Sequence, residues 1–324
     1  MPENKKSKIR MYSRKGVKVA IPNFKEEVSI SSMFEIFITD KSIEGISNRT
    51  LHDYHVHFEY LMKFLGENIT NIKMTKEMFK NYLSFMLHEQ CLSPVTVNVR
   101  IRTIRAFLRY CFLHGYIEEP IHEYFKPVRT KEDTLESFTP QEIKRLLSVV
   151  EENSYKGFRD KVIIYVLLDT LVRCAELINI KRTNIDLKAG FITLESLNTK
   201  TKKGRTVPIS TKTIKLLKEY IQITEEYKTD FLFLTYEGEP LSDNTVRKNL
   251  TEIGEKAGVN KRVSPHTFRH TGALFYVLNG GDPFSLQKIL GHSDMSMVRK
   301  YIQMTNTDVK KQHNIFSPLN TVFK

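Results

Sequence analysis

From residue 29 onward the apolar positions recur every three or four residues, the period of a helix with one buried face. Four such stretches follow one another: "SISSMFEIFITDK", "SNRTLHDYHVHFEYLMKFLG", "TKEMFKNYLSFMLHEQ" and "SPVTVNVRIRTIRAFLRYCFLHG". They predict a compact all-α domain over residues 26–120. In its last helix Ile101, Ile104, Leu108 and Cys111 form an apolar stripe, while Arg102, Arg105 and Arg109 align on an adjacent face. Those three guanidinium groups are candidate contacts to a phosphate backbone; a solvated basic face is the alternative.

The periodicity lapses over residues 121–137, where Pro and charge dominate in "KPVRTKEDTLES", so this segment is expected to link two domains. "TPQE" then offers Thr139 as N-cap, Pro140 at the first helical position and Glu142 to close a capping box. Helices are predicted around 158–181 and again up to about 303. Between them, "GFITLES" and "GRTVPIS" alternate with the period of strands and read as a β-hairpin. The expected second domain, 138–305, is therefore α+β with a small antiparallel sheet in a mainly α chain. Residues 306–324 read as a tail with one apolar side.

Composition adds a partner class. The chain has 324 residues, 40% of them hydrophobic, enough for two cores. Its 50 basic and 37 acidic side chains give a formal charge of +13, which points to a polyanion, most commonly nucleic acid. Residues 1–25 are rich in Lys and Arg without helical periodicity and read as a flexible basic arm, either lying along phosphates or merely solubilising. Cys91, Cys111 and Cys174 stand far apart with no C-x-x-C spacing, so neither a zinc ribbon nor a disulfide framework is indicated, and a reducing cytoplasm fits. The longest aliphatic run, "VIIYVLL", is too short to span a bilayer, so no membrane partner is expected.

The densest chemistry lies in "SPHTFRHT", Ser264 to Thr271. Ser264 can cap a helix and Pro265 suits its first position. His266 then falls in the first turn, where unpaired backbone N–H groups attract anions, with Arg269 three residues on. His266 and His270 also have the spacing of two metal ligands on one helix face. A zinc site needs a third ligand, so the phosphate reading is preferred and His270 is expected to support or pack.

"SPHTFRHT", followed by "LQKILGHSDMSMVRKYIQ", closely resembles the signature of the tyrosine recombinases, the phage-integrase and transposon-integrase family. The His-x-x-Arg of that signature matches His266 and Arg269, and its Leu-Gly-His matches Leu290, Gly291 and His292. Its tyrosine, nine residues further on, matches Tyr301. "TLVRCAEL" resembles the family's upstream arginine motif and supplies Arg173 and Glu176, with Leu171 where a glycine is usual. The family's hairpin lysine, eight residues before the proline of a Val-Pro pair, matches Lys200. Lys202, Lys203 and Arg205 crowd the same hairpin as candidate DNA contacts, and a one-step slip in the loop nominates Lys202 instead.

The resemblance implies a helical core-binding (SAM-like) domain before the α+β catalytic domain. It also implies a site-specific recombinase acting on double-stranded DNA sites through a 3′-phosphotyrosine and a Holliday junction. Arg173 and Arg269 are expected to grip phosphate oxygens, Lys200 to protonate the leaving oxygen, His266 and His292 to assist, and Glu176 to orient its neighbours. No cofactor is implied. The expected assembly is a homotetramer on two duplexes, with accessory DNA-bending factors compatible with it and the tail docking on a neighbouring protomer or on its own domain. The basic arm favours integration or excision of a mobile element over a dimer resolvase. Further alternatives are a type IB topoisomerase-like enzyme, a DNA-binding regulator with a decayed site, and a metal hydrolase built on His266 and His270.

Overall fold

The computed structural model describes residues 10–14, 17–21, 27–124, 126–130, 136–195, 204–291, 295–299, 301, 310 and 313–322. The chain divides into two compact units, Met1–Asp133 and Thr134–Lys324.

In the first unit, β1 (Arg10–Arg14) and β2 (Val17–Ile21) pair antiparallel, a strand pair the sequence reading did not anticipate within the basic arm. The four predicted helices form as α1 (Ile30–Ile43), α2 (Asn48–Leu65), α3 (Lys76–Ser84) and α4 (Pro94–Leu113). Ser29, Ser47, Thr75 and Ser93 each cap one of them, accepting from the backbone N–H three residues on. The stripe Ile101, Ile104, Leu108 and Cys111 is buried against Phe34 and Phe37 of α1 and Phe58 of α2. The Phe34 and Phe58 rings stack with centroids 3.8 Å apart.

Part of the expected linker belongs to this unit. Ile121–Tyr124 forms the short helix α5, Ile121 is buried in the first core, and Asn98 of α4 exchanges two 2.8 Å hydrogen bonds with the backbone of Val128. An apolar side chain and satisfied backbone groups hold these residues on α4.

The second unit begins with α6 (Pro140–Ser148), whose Thr139–Glu142 capping box forms as its sequence indicates. The helices expected around 158–181 form as α7 (Tyr155–Thr170) and α8 (Cys174–Ile178), with a break between them. The break falls at Leu171, which ends α7 in the left-handed conformation, φ 55° and ψ 27°. Strands β3 (Ile185–Asp186), β4 (Phe191–Leu194) and β5 (Arg205–Pro208) form an antiparallel sheet in that order, with Ile192 opposite Val207 and Leu194 opposite Arg205. Ile192, Leu194 and Val207 face the core and Phe191 faces out, the alternation of a sheet covered on one side.

Helices α9 (Thr211–Ile223), α10 (Asp243–Lys256), α11 (Pro265–Leu278), α12 (Pro283–Leu290) and α13 (Ser296–Arg299) complete the unit. Gly272 lets α11 cross α7 closely, since a Cβ there would lie 2.4 Å from the Leu168 carbonyl oxygen and 2.4 Å from a Leu171 methyl carbon. A second small core of Leu171, Ala273, Leu286, Leu290, Val298 and Tyr301 lies beside this crossing. No described helix is long and apolar enough to cross a membrane.

Candidate active site

Four of the candidate catalytic side chains come together in the second unit, through short elements that present their ends to one another. Arg173 is the N-cap of α8, and Glu176 in the first turn of that helix accepts from the Arg173 backbone N–H at 2.8 Å and from its guanidinium at 3.0 Å. Glu176 is 2% exposed. Arg205, at the start of β5, donates two more bonds to the same carboxylate, at 2.9 and 2.8 Å, as a planar fork. One carboxylate therefore ties Arg173 to the strand hairpin. Burial pushes the Glu176 pKa up, but the Arg205 hydrogen bonds, the Arg173 N–H and both cationic charges outweigh it, so the carboxyl titrates below its ordinary range.

Arg205, a candidate DNA contact in the sequence, turns inward in the structure. Its Nε also donates to the Ile289 carbonyl at 2.8 Å, so three of its N–H groups are directed inward and its side chain is only 10% exposed. The same guanidinium explains the glycine of Leu-Gly-His. Gly291 ends α12 with φ +65°, and a Cβ on it would come within 3.0 Å of the Arg205 side chain.

Arg269 performs the matching task from α11. Ser264 caps that helix and Pro265 opens it, as the sequence indicates. One Arg269 nitrogen donates to the Leu171 carbonyl and another to the Leu290 carbonyl at 2.8 Å. Both acceptors terminate helices, so the buried guanidinium joins the C-terminal ends of α7 and α12, where a cation is favoured. Burial and the nearby Arg173 charge pull its pKa down, but a guanidinium starts so high that it stays protonated at neutral pH.

Tyr301 follows α13 and is 8% exposed. Burial pushes its hydroxyl pKa up to about 12, against the opposing pull of Arg269. Its hydroxyl is hydrogen-bonded to Nδ1 of His270, and Nε2 of His270 lies 2.6 Å from Nε2 of His266. The sequence reading expected His266 to assist and His270 to support or pack; in the structure His270 lies between Tyr301 and His266. The signal was present in the four-residue spacing of the histidines, but nothing local says which of the two meets a tyrosine 31 residues away. His266 opens to solvent. Partial burial, then the charges of Arg269, Arg247, Arg262 and Arg173, lower its pKa. No third His, Cys, Asp or Glu joins the histidine pair as a metal ligand among the described residues.

Lys200, Lys202, Lys203 and His292 lie outside the described residues. Arg102, Arg105 and Arg109 belong to the first unit and line one cavity of about 360 Å³ with Asn98 and His122. Arg102 and Arg109 are exposed, whereas Arg105 is half-buried and donates to the His122 carbonyl at 3.2 Å.

A helical unit, a second unit carrying a three-stranded antiparallel sheet, and a buried tyrosine beside paired arginines and histidines define the architecture of a tyrosine recombinase. The models for the phage integrase family and for the phage integrase SAM-like domain match residues 136–307 and 29–127. The chain belongs to the phage integrase family, whose tyrosine recombinases cleave and rejoin DNA. Among curated proteins it is 27% identical to tyrosine recombinase XerD of Staphylococcus aureus over 282 residues, covering 85% of this chain and 94% of the relative. It is 29% identical over 289 residues to XerD of Staphylococcus saprophyticus, with the same coverage. Among solved structures, the Tn1549 transposon integrase in complex with transposon right end DNA aligns with a TM-score of 0.74 at 18% identity, covering 89% of this chain and 99% of that one. A λ integrase dimer bound to a COC′ core site aligns with a TM-score of 0.72 at 18% identity, covering 85% and 77%.

Proposed function

We propose that this protein is a site-specific DNA recombinase in which Tyr301 attacks a phosphodiester, forming a 3′-phosphotyrosyl bond and releasing a 5′ hydroxyl. The observation that carries this reading is the convergence of the Tyr301 hydroxyl on the histidine pair of α11, the helix that also presents Arg269 beside Arg173. Negative charge grows on the non-bridging oxygens during attack, and two planar, permanently charged forks suit it. Glu176 and Arg205 hold Arg173 and the strand hairpin in register. Lys200 on that hairpin protonates the departing 5′ oxygen, and His292 braces the phosphate. The covalent link conserves the phosphodiester energy for rejoining, so the reaction as drawn needs no metal or nucleotide.

The substrate is double-stranded DNA carrying recombination sites, bound by a homotetramer that passes through a Holliday junction, and the biological outcome is integration or excision of a mobile element. The basic segment before residue 25 supports the mobile-element reading, since dimer resolution needs only the two core domains. The second reading, resolution of DNA dimers, is supported by the likeness to XerD over 94% of the length of those relatives.

Nicked suicide duplexes taken from both flanks of the gene test the chemistry in EDTA. Wild type is expected to become covalently joined to DNA, while Tyr301→Phe binds the same duplex with similar affinity and forms no adduct. An adduct made by Tyr301→Phe, or one that requires a divalent cation, refutes the assignment.

A further inference from the structure

A neutral imidazole donates from one ring nitrogen and accepts at the other. Both nitrogens of His270 are engaged, Nδ1 with the Tyr301 hydroxyl and Nε2 with Nε2 of His266 at 2.6 Å. The hydrogen bonds along this row must therefore all run in one direction. The rings of His270 and His266 meet edge-on, with centroids 4.0 Å apart and planes at 85°. His270 is 5% exposed, whereas His266 faces solvent.

Resting on the recombinase reading above, we infer that His270 is a catalytic residue: it accepts the proton of Tyr301 at Nδ1 while passing its own Nε2 proton to His266, so that the pair works as a two-step proton relay. As Tyr301 Oη bonds to phosphorus, the bond from phosphorus to the 5′ oxygen breaks. The Tyr301 proton moves to Nδ1 of His270, and the proton on Nε2 of His270 moves to Nε2 of His266. The 5′ oxygen takes its proton from the Lys200 ammonium of the proposed mechanism. The products are a 3′-phosphotyrosine, a 5′ hydroxyl, a neutral lysine and an imidazolium at His266, with His270 neutral in its other tautomer. Rejoining runs the same transfers backwards and returns the proton to the departing tyrosine.

The relay solves a problem of charge. An imidazolium at the buried His270 would sit beside Arg269 without water to solvate it, which is costly. Moving the charge one ring outward puts it on His266, where solvent screens it. Partial burial, then the charges of Arg269, Arg247, Arg262 and Arg173, favour the neutral form of His266, which is able to accept, at rest. A phosphodiester held by Arg173 and Arg269 brings the negative charge that offsets those cations and raises the proton affinity of His266 when it is needed. The buried hydroxyl of Tyr301, protonated at neutral pH, sets the direction by donating.

The test joins a DNA-free measurement to a kinetic one. In wild type labelled with ¹⁵N-histidine, the resonances of His270 are expected to show a proton on Nε2 and an unprotonated, hydrogen-bonded Nδ1 that shifts in Tyr301→Phe. A proton on Nδ1 of His270 overturns the inference without any DNA being needed. In the kinetic arm, His270→Asn keeps an acceptor oxygen near the position of Nδ1 but cannot take up a proton. Its adduct formation on the nicked duplex is expected to fall about 100-fold or more, the ordinary range for loss of a general base. The rate should then rise steadily with pH where the wild type has levelled off, as hydroxide takes over, with DNA affinity unchanged. Replacing the 5′ bridging oxygen with sulfur removes the need to protonate the leaving group and should not rescue this variant. Rescue by sulfur, or a rate within about threefold of wild type with an unchanged pH profile, overturns the relay while leaving Tyr301 as nucleophile. A wild type that forms no adduct on any flanking DNA overturns the recombinase reading itself.

Discussion

Leu171 stands where the family usually has glycine, and its backbone is left-handed, φ 55°, a conformation that costs a branched side chain about 1–2 kcal/mol. Restoring glycine should relieve that strain. Yet the Leu171 side chain is 2% exposed and shares its cluster with Leu286, Leu290, Val298 and Tyr301, while its carbonyl accepts from Arg269. Truncating a buried leucine costs about 2.7–5.0 kcal/mol in transfer and cavity terms. Packing therefore wins, and Leu171→Gly is expected to be less stable than wild type by about 1–4 kcal/mol. Leu171→Ala opens nearly the same cavity but keeps the left-handed strain. The usual penalty of about 1 kcal/mol for glycine relative to alanine should accordingly vanish or invert at this position. Calorimetry of the three full-length proteins reads the order directly, with each 1 kcal/mol lowering the transition of a domain this size by about 2–4 °C. A Leu171→Gly protein as stable as wild type would refute the burial argument. A glycine variant about 1 kcal/mol or more below the alanine variant would refute the claim of backbone strain.

Two further predictions concern the carboxylate that gathers the arginines. Because the Glu176 pKa is depressed in the folded state, its stabilisation is complete above its unfolded value of about 4.5 and is lost as pH falls through the lower folded value. Glu176→Gln should therefore cost about 3–5 kcal/mol at neutral pH, by leaving two guanidinium groups without their partner, and should flatten the acid limb of stability below about pH 4.5. Urea unfolding from neutral pH down to about pH 3 checks both, and an unchanged acid limb would remove Glu176 as the titrating group. Arg205→Lys keeps the charge but loses the fork, so about 1–3 kcal/mol of stability should go while DNA affinity and its salt slope stay as in wild type. A salt slope reduced by about 1 would instead place Arg205 on a phosphate.

Much of the chain declares itself locally. The period of the apolar residues, the capping serines and threonines, and the alternation around Ile192 and Val207 fixed four helices, the capping box at Thr139 and the antiparallel hairpin, because these depend on contacts within a few residues. The family signature likewise put Arg173, Glu176, His266, Arg269 and Tyr301 in order along the sequence, since the spacing of a motif is itself sequence information. What the sequence by itself could not determine is which of these groups touch. That Glu176 binds Arg205 across 29 residues, that Arg205 turns inward, and that His270 rather than His266 meets Tyr301 follow from how α7, α8, α11, α12 and β5 pack. Leu171 shows the same division: its sequence departs from the expected glycine, and only the packed cluster around Tyr301 supplies burial large enough to hold a leucine in a left-handed turn. Long-range contacts are set by the closing of a core, and the energy that selects among them belongs to the whole packed unit rather than to any local pattern.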